Sequence, residues 1–230
     1  MDVVVKGTGP QSNIEQQVDP THAAARFAIR PLEHVVGGVQ GGHYNLDAVT
    51  GAMTGALAAG GQVFAVRWND PSKLMVLLRV TVNAKCEAVS SGIGTDLELI
   101  LAHAYTANAS GGGTIVPTNT SQMARLSNMA PSSFASYGEI RVATTAALTP
   151  GTQTLDTAGV GACAFPGAGG AVIGNYGGPN DLWNCQTGFG EHPIVLANNQ
   201  GFVVRTSSGF AASNTWRFYV NISWIEVAAF

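Results

Sequence analysis

The chain has 230 residues, a formal net charge of −3 and only 11% charged residues, less than half the roughly 25% of ordinary soluble domains. This balance excludes a dedicated nucleic-acid surface, which needs clustered Lys and Arg. No apolar run reaches the roughly 18 residues of a membrane span.

Lysine occurs only as Lys6, Lys73 and Lys85, with Gly, Ala, Ser, Thr and Asn filling the polar positions. Low charge predicts a surface largely covered by other chains, because interface cores are depleted in Lys and Glu; an uncharged secreted protein or a compositional bias gives the same number. No basic segment followed by an apolar run opens the chain, so no secretory signal is expected. Cys86, Cys163 and Cys185 are odd in number and lack metal-like spacing. They read as small thiols, with a Cys163–Cys185 bridge as the alternative.

Residues 1–36 read as an extended N-terminal arm. Val3 to Lys6 suits a short strand, and Asn13 to Pro31 carries no sustained period. Asp19 and Arg30 each precede a proline, which pushes their backbone towards the extended region. A segment of this kind cannot bury its own apolar groups, Ile14, Val18, Phe27 and Ile29 among them. It is either disordered or laid along a neighbouring sheet edge, and its apolar side chains favour the second reading.

Val35 to Gly42 is a Gly-rich linker. His43 to Gly61 suits either a short helix near 51–59 or an irregular β-edge crossing, since each glycine in a helix costs about 1 kcal/mol. Gln62–Trp68 and Lys73–Val82 predict a hairpin across the Asn69-Asp-Pro-Ser72 turn. Thr95–Tyr105 alternates as a strand, and Thr106–Met129 reads as a long loop. Tyr137–Ala143 is a short strand, Thr144–Gly151 a turn, and Thr152–Asp156 starts another strand. The Gly/Ala-rich stretch 159–179 reads as a surface loop that orders only against a partner.

The last 40 residues carry the clearest pattern. Ile194–Ala197 and Phe202–Thr206 predict a hairpin through Asn198-Asn-Gln-Gly201. In Thr215–Val227 the large groups Trp216, Phe218, Val220, Ile222 and Trp224 alternate with Arg217, Tyr219, Asn221 and Ser223. Short strands separated by frequent turn signals give an all-β fold: an antiparallel, jelly-roll-like β-sandwich over residues 37–230 with the arm attached.

No constellation of reactive residues emerges, so the chain reads as a non-enzyme without metal or cofactor. His103 stands an odd number of positions from Glu98 and so points to the opposite strand face. His22, His34, His43 and His192 are spaced unlike a zinc motif. Glu139 and Asp156 imitate a glycosidase carboxylate pair only in sequence. Trp68, Trp183, Tyr105, Tyr137, Tyr176 and Tyr219 are candidates for a sugar-stacking platform; of these, Tyr176 and Trp183 are the nominated external contacts.

The segments HPIVLANNQGFVVRT and TWRFYVNISWIEV, together with VFAVRW, EIRVATTAALTPGTQTLD and VDPTHAAARFAIRP, resemble a group of tailed-bacteriophage virion structural proteins, in matching order over nearly the whole chain. The longer Gly/Ala stretch at 159–179 departs from that pattern. The resemblance implies a virion protein made in the host cytoplasm, and the expected role is a cement or decoration protein on the head surface. Its partners would be the major capsid protein and/or copies of itself, in a homo-oligomer, with no nucleic acid and no membrane. Candidate assembly contacts are Val3, Val4, Val5, Ile14, Arg26, Phe27, Arg30, Tyr176 and Trp183, with Arg26 and Arg30 anchoring the arm to acidic or carbonyl groups. A tail or fibre component contacting a receptor, or a free carbohydrate-binding module, are the alternatives.

Overall fold

The computed structural model describes residues 42–54, 57–88, 94–117, 124–125, 132–166, 174–185, 192–210 and 214–228, with four short strands before them. The chain divides into two compact units, Met1–Val35 and Val36–Phe230.

In the first unit, β1 (Val4–Lys6) pairs antiparallel with β2 (Asn13–Glu15), placing Val5 opposite Ile14. Strand β3 (Gln17–Val18) pairs likewise with β4 (Ala25–Arg26), placing Gln17 opposite Arg26. The stretch read as lacking any period therefore contains three strands. Runs of two or three residues are too short to display an alternation. Val3, Phe27 and Arg30 lie outside the described residues.

The second unit continues with β5 (Gly42–Val49), β6 (Met53–Thr54), β7 (Gln62–Trp68), β8 (Leu74–Ala88) and β9 (Thr95–Tyr105). Then come β10 (Gly113–Ile115), β11 (Ala124–Arg125), β12 (Glu139–Val142), β13 (Gln153–Leu155) and β14 (Gly161–Phe165). Strands β15 (Gly174–Asn184), β16 (Ile194–Leu196), β17 (Gln200–Thr206) and β18 (Thr215–Val227) close the fold. The only helical turn among the described residues is the 3-10 turn Ser133–Ala135.

These strands form two seven-stranded sheets. The first runs β10-β12-β7-β17-β9-β13, with β14 also on β9; the second runs β11-β5-β18-β8-β15, with β16 on β8 and β6 on β18. Without the short edge pieces, β5-β18-β8-β15/β16 packs on β7-β17-β9-β13/β14. Among these strands, with β13/β14 and β15/β16 each taken as one, the chain switches sheet at every step except from β9 to β13/β14. That order is a jelly roll, two four-stranded antiparallel sheets built from Greek keys, with β10 to β12 inserted between β9 and β13.

Both predicted hairpins are corrected by this order. Strands β7 and β8 lie in different sheets, as do β16 and β17. The turns themselves form as their residue types dictate. Asp70 Oδ1 accepts from the Ser72 N–H and hydroxyl, both at 2.8 Å, and from the Lys73 N–H at 3.2 Å. Asn199 takes a positive φ of 60°. Such chemistry is satisfied within four residues and is blind to whether the flanking strands pair or part company.

The alternation read in Thr215–Val227 holds. Trp216, Phe218, Val220, Ile222 and Trp224 are all 0–1% exposed, each burial worth roughly 1.5–3 kcal/mol. Trp216 stacks on Phe218 with centroids 6.2 Å apart. Phe134 sits edge-on to both Trp68 and Trp224, at 4.9 and 5.6 Å. One contiguous core results, drawing on both sheets.

Three further expectations change. In the stretch His43–Gly61, where only a short helix near 51–59 or an irregular β-edge crossing is expected, the residues up to Val49 form the inner strand β5, whose Tyr44, Leu46 and Ala48 are buried. Beyond it, the β-edge alternative for 51–59 applies among the described residues, with β6 on β18 and a bridge from Leu57 to Phe210. The loop expected at 106–129 contains β10 and β11. The described residues of the Gly/Ala stretch 159–179 are mostly strand: β14 pairs with β9, and the start of β15 pairs with β8. A Cβ on Gly161 would stand 2.0 Å from the Leu182 carbonyl oxygen, so this glycine marks a close backbone approach rather than looseness.

Candidate functional site

The outer face of the second sheet is a grid of cross-strand neighbours. Tyr219 of β18 faces Val49 of β5 on one side and Asn83 of β8 on the other. Asn221, one step along, faces Asp47 and Thr81 in the same way. Period two puts all six on the side away from the core, since their neighbours Ala48, Val82 and Val220 are 3% exposed or less.

Next to this grid the ladder between β15 and β8 breaks: Tyr176 pairs with Ala84, but the next pair is Asn180 with Val82. The bulge sets three residues of β15, the last of them Pro179, against the single residue Asn83 of β8. Bulges of this kind re-aim chain at sheet edges and beside functional sites. The result is a shallow cleft of about 430 Å³ with Asp47, Val49, Asn83, Pro179, Tyr219 and Asn221 on its walls. Val49 and Tyr219 are two of the few large hydrophobic side chains left exposed, at 43% and 37%.

The polar atoms of the cleft are only partly used. Asn221 Nδ2 donates to Asp47 Oδ1 at 2.6 Å, and Asn83 Oδ1 accepts its neighbour's Ala84 N–H at 2.8 Å. Among the described residues Asp47 Oδ2, Asn83 Nδ2, Asn221 Oδ1 and the Tyr219 hydroxyl have no partner. Among the described residues Asp47 is the one formal charge on the walls. Arg217, a step further along the strand, is held by Glu87 through Nε at 3.0 Å and Nη2 at 3.3 Å. That pairing holds the Glu87 carboxyl below, and the guanidinium above, its ordinary range.

A second polar cluster closes one end of the sandwich. Glu226 is 0% exposed. Its Oε1 accepts from the Ser132 hydroxyl at 2.6 Å and from the Trp224 indole N–H at 3.1 Å, and Oε2 accepts from the Ser133 N–H at 2.8 Å. Lys73 Nζ stands 3.9 Å from Oε2 and donates to the Ser133 hydroxyl at 3.0 Å. The Lys73 carbonyl accepts the Trp68 indole N–H at 2.9 Å. Nearby Asp70 is also buried. Burial pushes its carboxyl up, but hydrogen bonds from Ser72 and Ser133 and the charge of Lys73 outweigh this and leave it lowered. Both oxygens of Glu226 are committed to holding the 3-10 turn, β18 and the β7–β8 turn together.

His103 pairs with Asp156, Nδ1 to Oδ1 at 2.7 Å, on the exposed surface. The carboxylate pair considered in the sequence does not come together. Glu139 lies on β12, whereas Asp156 follows β13, four strands away in the first sheet; at about 4.8 Å per strand that is roughly 19 Å, beyond the roughly 9.5 Å upper limit for glycosidase pairs. Among the described residues no three His, Cys, Asp or Glu side chains gather to hold a metal ion. Cys86, Cys163 and Cys185 are not joined by a disulfide, and burial pushes the Cys163 thiol up to about 11.

The six-aromatic platform separates into unrelated parts. Trp68 and Tyr105 are buried at 0% and 1%. Trp183 is half-buried against the core, its indole N–H donating to the Leu77 carbonyl at 3.1 Å. Tyr137 is exposed beside the 3-10 turn, and Tyr219 stands in the cleft. The side chain of Tyr176 lies outside the described residues, as do those of Val4, Val5, Ile14 and Arg26. The polar half of the cleft, Asp47 with Asn221 and Asn83, was not singled out from sequence. The signal was the polar side of the β5 and β18 alternations, which becomes a site only once three strands are placed side by side.

Comparison with family models, curated proteins and solved structures finds no match to this chain.

Proposed function

We propose that this protein is a bacteriophage virion structural component, a cement or decoration protein that binds and stabilises the head shell through many copies. The observation that carries the reading is the jelly-roll strand order, an architecture used by viral coat and lectin domains, in a chain with 11% charged residues. The motif order described above, from the VDPTHAAARFAIRP segment to the TWRFYVNISWIEV ending, supports the same role. In this reading the sandwich sits on shell subunits or on copies of itself, and residues 1–36 reach a neighbour, with Val4, Val5, Ile14 and Arg26 among its contacts. Each contact is weak, and multiple attachment raises the effective concentration of the next.

The test is add-back. Full-length protein and a form lacking residues 1–36 are mixed with particles stripped of their decoration, and bound protein is quantified after sedimentation. The full chain is expected to co-sediment and the truncated chain, still folded by circular dichroism, to stay in the supernatant. Equal binding of both removes the role of the arm. Failure of the full chain to bind removes the reading.

A further inference from the structure

We propose that the Tyr219 cleft on the outer face of the second sheet is a binding site for a neutral saccharide. This goes beyond the structural role above and stands without it. Four observations converge on the site.

The first is the ring. Tyr219 is exposed on an otherwise polar strand face, with Val49 as its apolar neighbour. The C–H face of a sugar ring is apolar and stacks on the face of an aromatic ring, whose π-cloud is the negative side. The second is the set of polar atoms around it. Asp47 Oδ2 and Asn221 Oδ1 accept, Asn83 Nδ2 donates, and the Tyr219 and Thr81 hydroxyls do either. A saccharide hydroxyl is both donor and acceptor, so it satisfies such a mixed set where a purely accepting or purely donating ligand leaves half of it unpaired.

The third is charge. A single carboxylate with no cation on the walls repels phosphate, sulfate and uronate groups. Arg217 and Lys85, which face each other one step beyond Tyr219 and Asn83, are both paired with Glu87, at 3.0 and 3.6 Å. With Asp47, these two acids and two bases cancel, and a neutral polyol matches that balance. The fourth is shape. The β15 bulge ending in Pro179 interrupts the ladder beside Asn83 and opens a cleft of about 430 Å³, within the roughly 300–1,000 Å³ of small-ligand sites. Asn221 holds Asp47 in place at 2.6 Å, so part of the site is already ordered before a ligand arrives.

The full-length chain is titrated by ¹H–¹⁵N NMR with a panel of neutral tetrasaccharides of glucose, mannose, galactose and N-acetylglucosamine at millimolar concentration. Tyr219→Ala, Asn83→Ala and Tyr137→Ala are run alongside, the last changing an exposed tyrosine outside the cleft. The expected result is binding of at least one saccharide, with amide shifts clustered on β5, β8 and β18. Affinity should fall about tenfold or more in Tyr219→Ala, the loss of one aromatic contact and its packing, and stay unchanged in Tyr137→Ala. Asn83→Ala reports on the same site if Tyr219→Ala proves unfolded by its thermal melt. No shift with any member of the panel overturns the proposal. So does binding that survives both cleft substitutions, or a cationic peptide binding where the saccharides do not.

Discussion

The last strand, β18, carries two polar regions about seven residues apart that are built on opposite terms. At Glu226 the carboxylate is sealed in the interior, and three donors together with the Lys73 ammonium meet its two oxygens. At Tyr219 and Asn221 the side chains face solvent, and the Tyr219 hydroxyl and Asn221 Oδ1 are idle among the described residues. A buried charge left without partners costs several kcal/mol, so the first region had to be completed by the fold itself. The second lies in water, where an idle atom costs nothing, and this is what leaves it available to a ligand. The same alternating strand therefore supplies a structural rivet and a candidate recognition surface, and position relative to the core decides which.

The contrast breaks most visibly at the rivet. Glu226→Ala strands the Ser132, Ser133 and Trp224 donors and the Lys73 charge, and is expected to cost about 3–5 kcal/mol, read from urea unfolding. Glu226→Gln keeps the shape but turns one acceptor into a donor, and should lose less. A midpoint unchanged in both variants would mean that the cluster does not hold the end of the sandwich.

Next in size is Asp70. Losing its three accepted bonds in Asp70→Ala should cost about 1–3 kcal/mol. Its carboxyl is lowered in the folded protein, so its contribution is complete above the ordinary value of 3.8 and is lost as pH falls through the folded value. Asp70→Asn is expected to flatten the acid limb of the stability–pH curve below that value and leave the neutral region less affected. An acid limb of undiminished slope would contradict the assignment.

Smaller again is the partly exposed Arg217–Glu87 pair beside the cleft. Glu87→Gln should cost less than about 1 kcal/mol, and the difference from wild type should shrink as salt is added. At the bottom of the scale, Tyr219→Ala is expected to change stability by no more than about 0.5 kcal/mol while removing saccharide binding. A large loss of stability there would make Tyr219 part of the packing and erase the difference between the two regions.

Much of the sandwich was legible in the sequence because burial writes period two directly into a strand. Trp216 to Trp224 alternate without a fault, and Thr95–Tyr105 was bounded to the residue. Partnership was not legible. The turn residues around Asp70 and Asn199 announced reversals correctly, yet each reversal carries the chain across to the other sheet, and nothing within the turn encodes that choice. Strand β5 escaped because the Gly- and Ala-rich residues 51–61 that follow it dilute the alternation of Tyr44, Leu46 and Ala48. The stretch 159–179 escaped because small residues that permit close strand approach, Gly161 above all, look the same in sequence as small residues that permit disorder. Of the cleft, Tyr219 was visible as an outward aromatic among six, but its polar neighbours come from strands more than 130 residues apart along the chain. The clasp around Glu226 was invisible for the same reason, since its donors lie on segments that only the fold brings together.

The assignment as a coat component is tested most directly by the number of copies per purified particle, measured by gel densitometry against the major shell subunit. A copy number comparable to that of the shell subunit is the predicted result. A handful of copies per particle would place the protein in the tail or a fibre instead, and its absence from particles, with the chain recovered as a free monomer, would contradict the account.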